Sequence, residues 1–345
     1  MKRVRGLFEQ IPEWENLLLA TTRALRGKRR QRDAAAFTEN LEVELARLGE
    51  EIREGTYKGS GFTQFVIHDP KERIISAPAF RDRVAQHAIV NVCEPELERF
   101  LICHTYACRV GKGTLAALHA ARRMAQKHED GFWLKMDIRK YFDSVPHERL
   151  SALLERRFAE EPLLDLFRRI LAGYSTTPGH GLPIGSLISQ HFANFYLGHL
   201  DHEITRRMGI GNYVRYMDDF VIWHDDKAVM RDAGRQVESW LAENLDLRLK
   251  REPMLQRVRI GMDFLGFRIF PNRLVPAAAT KRRVKRKLAT VEREFAQGQV
   301  NERLHQQRVS AIFARLLWPE VRSRHFREGL LGLRPVGSGH RPRTG

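Results

Sequence analysis

The chain is poor in cysteine and has no long apolar run. Of its 345 residues only Cys93, Cys103 and Cys108 are cysteine, an odd number that lacks the paired short spacings of a zinc site. No apolar stretch approaches the roughly 18 residues that cross a bilayer. Glu13 and Glu15 interrupt the apolar stretch near the amino terminus, which a secretory signal would avoid. We therefore expect reduced thiols and a cytoplasmic protein that does not associate with a membrane.

Acidic residues are in deficit as well. The 42 Asp and Glu residues stand against 59 Lys and Arg, which gives a formal net charge of +17 at pH 7. The 43% hydrophobic content is enough for a buried core, so a disordered tail is excluded. A positive excess of this size predicts attraction to a polyanion, with nucleic acid ahead of a membrane surface. The net charge indicates the class of binding partner, but it does not indicate which reaction the protein catalyses.

Two stretches concentrate the positive charge. Six of the ten residues 23–32 are basic, a composition that suits a solvated face and phosphate contact equally well. Six of the seven residues 281–287 are cations within a helical pattern. The residues that we expect to contact nucleic acid are Arg29, Arg30, Lys281, Arg282, Lys285 and Arg286.

Carboxylates stand at the end or in the middle of two β-rich runs. FWLKMDI (132–138) reads as an apolar strand ending on Asp137, and NYVRYMDDFVIW (212–223) reads as a hairpin with Asp218 and Asp219 at its turn. Adjacent acids in a half-buried hairpin repel each other and call for a cation, although Asp-Asp is also ordinary turn chemistry. Converging carboxylates would hold two Mg²⁺ ions about 3.5–4 Å apart for nucleotidyl transfer.

The remaining pattern mixes helices with short strands. We expect a hairpin over 62–76, helices over 41–52, 80–100, 114–128, 188–200 and 226–245, a helix from near Pro146, and strands over 258–270.

Together these motifs resemble those of reverse transcriptases over roughly residues 55–320. KMDIRKYFDSV is similar to the palm segment with the first carboxylate, and RYMDDF to the Tyr-x-Asp-Asp box. The resemblance implies an RNA-directed DNA polymerase with an α+β, right-hand fold. It makes Asp137, Asp218 and Asp219 catalytic and places two Mg²⁺ ions, or Mn²⁺ as a substitute, at these residues and Ile138.

The same resemblance divides the chain into the parts of a right hand. It implies an N-terminal helical extension (1–54), fingers (55–130), a palm (131–270) with a finger-like helical insertion near 145–180, a helical thumb (271–320) and a basic C-terminal tail (321–345).

The resemblance also assigns residues to the incoming nucleotide. Lys71 and Arg73 in PKERIISAPAF would clamp the triphosphate, and Phe142, five residues after Asp137, would exclude a ribose 2′-hydroxyl. Ile184 would lie against the new base pair, with Gln190 also at the nucleotide. Without the resemblance, the two cations would be read as solvated, and Phe142 and Ile184 as core residues. Lys250 could act as a general acid, but a surface lysine is the favoured interpretation.

One departure from most bacterial relatives indicates a subfamily. Where those carry Gln-Gly and a later Ser-Pro, this chain has Ile184-Gly185 and Ser189-Gln190, which resembles diversity-generating retroelements. That resemblance implies a bacterial or phage-encoded enzyme that uses dNTPs to copy a template-repeat RNA into cDNA, with adenine-directed errors, for mutagenic retrohoming. It also implies an accessory variability-determinant protein that is oligomeric, helical and basic.

Three alternatives remain open. The first is a group II intron-like or retron reverse transcriptase of ordinary fidelity, which would be distinguished by the neighbouring RNA. The second is a non-catalytic nucleic-acid-binding protein, which predicts the loss of an acid although all three are present. The third is an RNA-directed RNA polymerase, which the Tyr-Met-Asp-Asp pattern and Phe142 disfavour.

Overall fold

The computed structural model describes residues 3–68, 72–330 and 332. Lys71 and residues 333–345 of the expected tail lie outside the described residues. The chain forms two compact units: residues 1–117 with 134–255, and residues 118–133 with 256–345. Both units contain helices and strands, and the hairpin strands of each unit pair antiparallel, so the α+β class is confirmed.

Groups of helices and groups of strands follow one another along the described residues. The helices are α1 (Trp14–Ala24), α2 (Arg32–Glu39), α3 (Leu41–Arg53), α4 (Phe80–Phe100), α5 (Thr114–Lys127), α6 (Tyr141–Ser144), α7 (His147–Arg157), α8 (Glu161–Ala172), α9 (Leu187–His202), α10 (Lys227–Trp240), α11 (Ala278–Ala296), α12 (Glu302–Phe313) and α13 (Arg324–Leu330). The strands are β1 (Phe62–Ile67), β2 (Arg73–Pro78), β3 (Phe132–Asp137), β4 (Tyr213–Tyr216), β5 (Asp219–His224), β6 (Met254–Arg257), β7 (Met262–Phe264), β8 (Phe267–Ile269) and β9 (Leu274–Pro276).

A four-stranded sheet in the order β4-β5-β3-β6 carries the carboxylates. The run Phe220–Trp223 of β5 is fully buried, as its uninterrupted apolar sequence predicts. Burying one such side chain contributes roughly 1.5–3 kcal/mol, so a few of them suffice to fix the strand in place.

Helix α9 packs closely against α4. A Cβ atom on Gly198 of α9 would lie 2.7 Å from Cε1 of Phe100, so only glycine lets the two helices approach this far. Phe192 and Phe195 of α9 are buried in the same core, and α4 also packs on α1. Helices α1, α4 and α9 thus share one hydrophobic core.

The predicted hairpin over 62–76 is confirmed as the antiparallel pair β1-β2. Its Asp69-Pro70-Lys71 turn lies outside the described residues.

One local prediction was wrong in detail, because residues 258–260 form a 3₁₀ turn rather than a strand. The helix predicted over 226–245 is confirmed, with its last turn, residues 241–245, in the π form. Within the part of the chain that the structure describes, the expected basic tail contains a helix, α13.

The second unit has its own small core. Strands β7-β8-β9 form an antiparallel sheet, and α11 packs against α12. Val284, Leu288 and Val291 of α11 are buried at helical spacing, which turns the basic residues between them outward.

Candidate active site

The Tyr-Met-Asp-Asp sequence forms a two-residue hairpin turn. Tyr216 of β4 pairs with Asp219 of β5, which leaves Met217 and Asp218 as the turn itself. The sequence placed both acids at the turn, whereas Asp219 is in fact the first residue of β5. Met217 has a φ of +58°, a value that side chains other than glycine rarely adopt.

The three predicted carboxylates lie together. Asp137 ends β3, the strand next to β5 in the sheet. The charge of Asp137 raises the pKa of Asp218, and the charges of Asp137 and Asp218 both raise the pKa of Asp219, so the three carboxylates lie close to one another. Two distant stretches of sequence therefore deliver three acids to one point.

Burial and mutual repulsion make these acids hard to ionise. Burial, followed by the charge of Asp137, raises the pKa of Asp218. Burial, together with the charges of Asp137 and Asp218, raises the pKa of Asp219 to about 6, although Lys135 opposes the rise. Such a cluster favours the presence of cations.

Two lysines neutralise part of this charge. The Nζ atom of Lys135 lies 3.0 Å from Oδ2 of Asp219, and that of Lys250 lies 3.0 Å from Oδ2 of Asp137. Lys250 also donates its backbone N–H to the Asp137 carbonyl oxygen at 2.8 Å, so this half-exposed lysine belongs to the site. Sequence reasoning missed Lys135, although its i, i+2 spacing to Asp137 places both on one face of β3.

The donor set fits a divalent cation. Oδ1 of Asp219 is buried and has no hydrogen-bond partner among the described residues. Carboxylate oxygens are the ligands that Mg²⁺ prefers, and a buried acceptor without a donor is costly unless a cation meets it. Among the described residues no three His, Cys, Asp or Glu side chains are already arranged as a metal cage, and each lysine holds one carboxylate oxygen. Ile138 is buried beside Asp137 and can offer only its backbone carbonyl.

A cleft of about 1160 Å³ lies in the same unit. Arg73 and Ile184 both line it, and the charge of Arg73 lowers the pKa of Asp218, so this guanidinium acts on the carboxylates. Sequence reasoning missed its other cations, Arg139, Lys140 and Arg248. The lining also includes Glu72, Asp143 and Asp246, so four cations stand against three acids, and the cations are the groups that could hold a phosphate-bearing ligand.

Ile184 is held against the hairpin β1-β2. Its carbonyl oxygen accepts from Ser76 N at 2.7 Å. The next residue, Gly185, has a φ of +115°, and a Cβ there would come within 3.0 Å of the Ser76 carbonyl oxygen. Gln86 accepts from the Ser186 hydroxyl and fixes the other end of this segment. Ile184 thus occupies a defined position on the cleft wall.

The other two predicted nucleotide residues do not line the cleft. Phe142 is half-buried with its ring centroid 5.7 Å from that of Tyr141, and its carbonyl oxygen accepts from Leu182 N. Gln190 is half-buried in the first turn of α9.

The residues predicted to contact nucleic acid lie at the surface, Arg29 and Arg30 in the first unit and those of α11 in the second. Arg29 and Arg30 are exposed in the turns after α1. In α11 the outward face carries Lys281, which is half-buried and lies over the ring of Phe326, together with the exposed Arg282, Lys285 and Arg286.

No helix within the described residues is long and apolar enough to cross a membrane.

The three convergent carboxylates would suit a metal-dependent nucleotidyl transfer site, and comparison with known proteins identifies the family of the chain. The family model "Reverse transcriptase (RNA-dependent DNA polymerase)" matches residues 67–269, more than half of the chain. The chain therefore belongs to the reverse transcriptase family, as the sequence motifs predicted, and it is an RNA-directed DNA polymerase by class. The right-hand polymerase fold expected from the sequence is the fold of this family.

Individual relatives are more distant. Protein YkfC of Escherichia coli is 26% identical over 280 residues, which cover 68% of this chain and 73% of that protein. An uncharacterized 91 kDa protein in the cob intron of Schizosaccharomyces pombe is 33% identical over 132 residues, 36% of this chain and 16% of that protein. Among solved structures, telomerase from Candida albicans aligns with 12% identity and a TM-score of 0.46, over 82% of this chain and 57% of that one. The chain thus spans only a small part of the intron protein and just over half of the telomerase chain.

Proposed function

We propose that this reverse transcriptase extends a DNA strand at Asp137, Asp218 and Asp219 with two Mg²⁺ ions, for which Mn²⁺ can substitute. The observation that carries the proposal is the meeting of the three acids in the unit that also holds the cleft. When bound, the metals lower the pKa of the attacking 3′-hydroxyl and stabilise the leaving pyrophosphate. The backbone carbonyl of Ile138 completes the ligand set.

The protein's own residues bind and orient the nucleotide. Arg73, which acts on Asp218, holds the triphosphate together with Lys71. Phe142 limits space at the ribose, and Gln190 contributes from α9. Lys250 stays close to the reacting phosphates through its contact with Asp137.

We propose for this chain the parts of a right hand that the family resemblance implies. Residues 1–54 form an N-terminal helical extension, 55–130 the fingers, 131–270 the palm with an insertion near 145–180, 271–320 the thumb, and 321–345 a basic tail. The surfaces that contact the RNA–DNA duplex through phosphates are the outward face of α11 and the turn with Arg29 and Arg30.

The substrate that we propose is the template-repeat RNA of a diversity-generating retroelement, copied with errors at adenines for retrohoming. Its support is Ile184, an apolar residue on the cleft wall, where a hydrogen-bonding amide would penalise incorrect base pairs more heavily. An oligomeric, helical, basic accessory protein would assist this copying. If the isolated chain copies the RNA as well as a mixture with that protein, the partner is not needed.

A second candidate is an intron-type reverse transcriptase of ordinary fidelity. The 33% identical relative in the cob intron favours it. The two candidates differ in the RNA that the enzyme prefers and in the errors that it makes at adenines.

The test is to sequence the cDNA that the purified chain makes from the RNA that is encoded beside its gene. We expect Asp218→Ala to reduce synthesis below about 1% of the wild type, because one of the three carboxylates that would hold the metals is lost. The matched control is Asp232→Ala, which removes an exposed carboxylate of α10 in the same unit. Errors concentrated at adenines support the retroelement, and uniformly rare errors support the intron-type enzyme. Full activity of Asp218→Ala would refute the proposed site.

A further inference from the structure

Arg215 is a charged side chain buried directly behind the catalytic turn. It lies in β4, one residue before Tyr216, and its side chain is 0% exposed. Its Nε and Nη2 atoms each donate to Asp201 at 2.6 Å, and Asp201 is also 0% exposed. A bidentate ion pair is therefore sealed inside the protein.

Stability alone does not account for such a pair. Removing two charges from water is expensive, and apolar residues of similar volume often serve a core equally well or better. Here the network is completed by further donors to Asp201, the Thr105 hydroxyl at 2.8 Å and the Tyr213 hydroxyl at 2.7 Å. Such an extensive buried hydrogen-bond network around one guanidinium indicates that the position of this group matters for function.

The guanidinium reaches the catalytic turn through one bond. Its Nη1 atom donates to the Met217 carbonyl oxygen at 3.0 Å. It is held on its other side by Asn194, whose side-chain and backbone oxygens each accept from it at 3.2 Å. Arg215 thus joins the core helix α9 to the first residue of the two-residue turn.

Met217 needs such a support. Its φ of +58° falls at the first central position of a hairpin turn, where glycine is the usual residue because a side chain is strained there. A peptide group at this position determines where the following residue, Asp218, points. A fixed Met217 carbonyl therefore fixes the backbone from which the Asp218 carboxylate projects.

We propose that Arg215, locked by Asp201, is a positioning residue that holds the Met217 carbonyl and so aims Asp218 at Asp137 and the catalytic metals. This inference rests on the proposed two-metal function. The role requires the planar guanidinium and not merely a positive charge, because one group must face Asp201, Asn194 and Met217 at once.

The first test is Arg215→Lys, which keeps a charge for Asp201 but has no fork to reach the turn. We expect kcat for nucleotide addition to fall at least tenfold, while KM for dNTP and affinity for primer-template stay within threefold. The matched control is Arg157→Lys, another buried arginine in the same unit, which pairs with Glu96 at 2.9 Å. We expect that control to lower the melting temperature and to leave kcat within twofold of the wild type.

The second readout does not depend on activity. Electron paramagnetic resonance titration should give a Mn²⁺ affinity at least fivefold weaker for Arg215→Lys than for wild type, and an unchanged affinity for Arg157→Lys. If the wild type is inactive but the three proteins still show these relative Mn²⁺ affinities, the polymerase proposal is rejected and the role of Arg215 is kept. An active wild type with unchanged kcat and Mn²⁺ affinity in Arg215→Lys would overturn the role of Arg215 alone.

A double-mutant cycle separates positioning from general stability. Gly at position 217 adopts a positive φ without strain, so Arg215→Lys should lower kcat less in a Met217→Gly background than in the wild type. An equal loss in both backgrounds, or equal losses for the two lysine variants, would overturn the proposal.

If Arg215→Lys does not fold, Asn194→Ala decides instead. This variant removes one acceptor of the Nη1 atom of Arg215, and a kcat that stays at the wild-type value would overturn the role of Arg215.

Discussion

The ammonium group of Lys135 lies 3.0 Å from one carboxylate oxygen of Asp219, while the other oxygen of Asp219 is buried without a hydrogen-bond partner among the described residues. The single contact does not compensate for burial, since the pKa of Asp219 still rises to about 6. This half-satisfied carboxylate makes the folded protein sensitive to pH and to cations, and it leads to the first prediction.

Asp219→Asn should stabilise the metal-free protein at pH 7.5. Folding raises the pKa of Asp219 from 3.8 to about 6, so the folded state binds the proton more tightly and loses stability as pH rises through that range. The amide mimics the protonated acid and can still accept from Lys135. We expect a gain on the order of 2 kcal/mol in the free energy of unfolding at pH 7.5, and little gain at pH 4, by urea denaturation with a chelator present.

The control for this measurement is Asp232→Asn, since that carboxylate is exposed on α10. It should change stability by less than about 0.5 kcal/mol at either pH. A pH-independent gain in Asp219→Asn would contradict the burial argument.

Phe142→Ala should relax the choice of sugar. Under the proposed function its ring limits the space beside the ribose, and a methyl group in its place leaves room for a 2′-hydroxyl. We expect the ratio of kcat/KM for rCTP over dCTP to rise at least tenfold, measured by single-nucleotide extension. Phe142→Tyr keeps the ring and should keep the wild-type ratio. The same ratio in all three proteins would assign Phe142 to packing only.

Ile184→Gln should reduce misincorporation at template adenines. An amide on the cleft wall can hydrogen-bond the new base pair and thereby penalise incorrect geometry, which isoleucine cannot do. We expect the adenine error frequency to fall severalfold by cDNA sequencing, with Ile184→Leu as the apolar control. Equal error frequencies in the wild type and the glutamine variant would defeat the hypothesis.

Gly185→Ala should impair nucleotide binding more than Gly179→Ala. Both glycines have positive φ, so alanine is strained at either one. Only at Gly185 would the new Cβ come within 3.0 Å of the Ser76 carbonyl oxygen and push Ile184 away from the hairpin; at Gly179 no atom lies within 4 Å. We expect KM for dNTP to rise at least fivefold in Gly185→Ala and to stay within twofold in Gly179→Ala. Equal KM values would show that the segment tolerates the displacement.

The patterns that the sequence predicted best are local. Alternation and turn composition in NYVRYMDDFVIW predicted the hairpin β4-β5, and the apolar run before Asp137 predicted β3. The family followed from the same motifs, because short strands ending in acids are recognisable without coordinates. Helix bounds were predicted to within a few residues wherever apolar spacing was regular, as in α4 and α5.

What the sequence by itself determined is the set of acids, their local strands and the excess of positive charge that defines the partner. Only the tertiary structure decided which strand lies beside which, and with it the contacts of Lys135 with Asp219 and of Arg215 with Asp201 and Met217. The physical reason is that hydrogen-bonding preferences between neighbours in sequence act locally, whereas these pairs depend on how a whole core packs. The sequence shows a lysine two residues before an acid and an arginine before a tyrosine, but it does not identify the residues that they contact. Those partners are determined by the packing of the core.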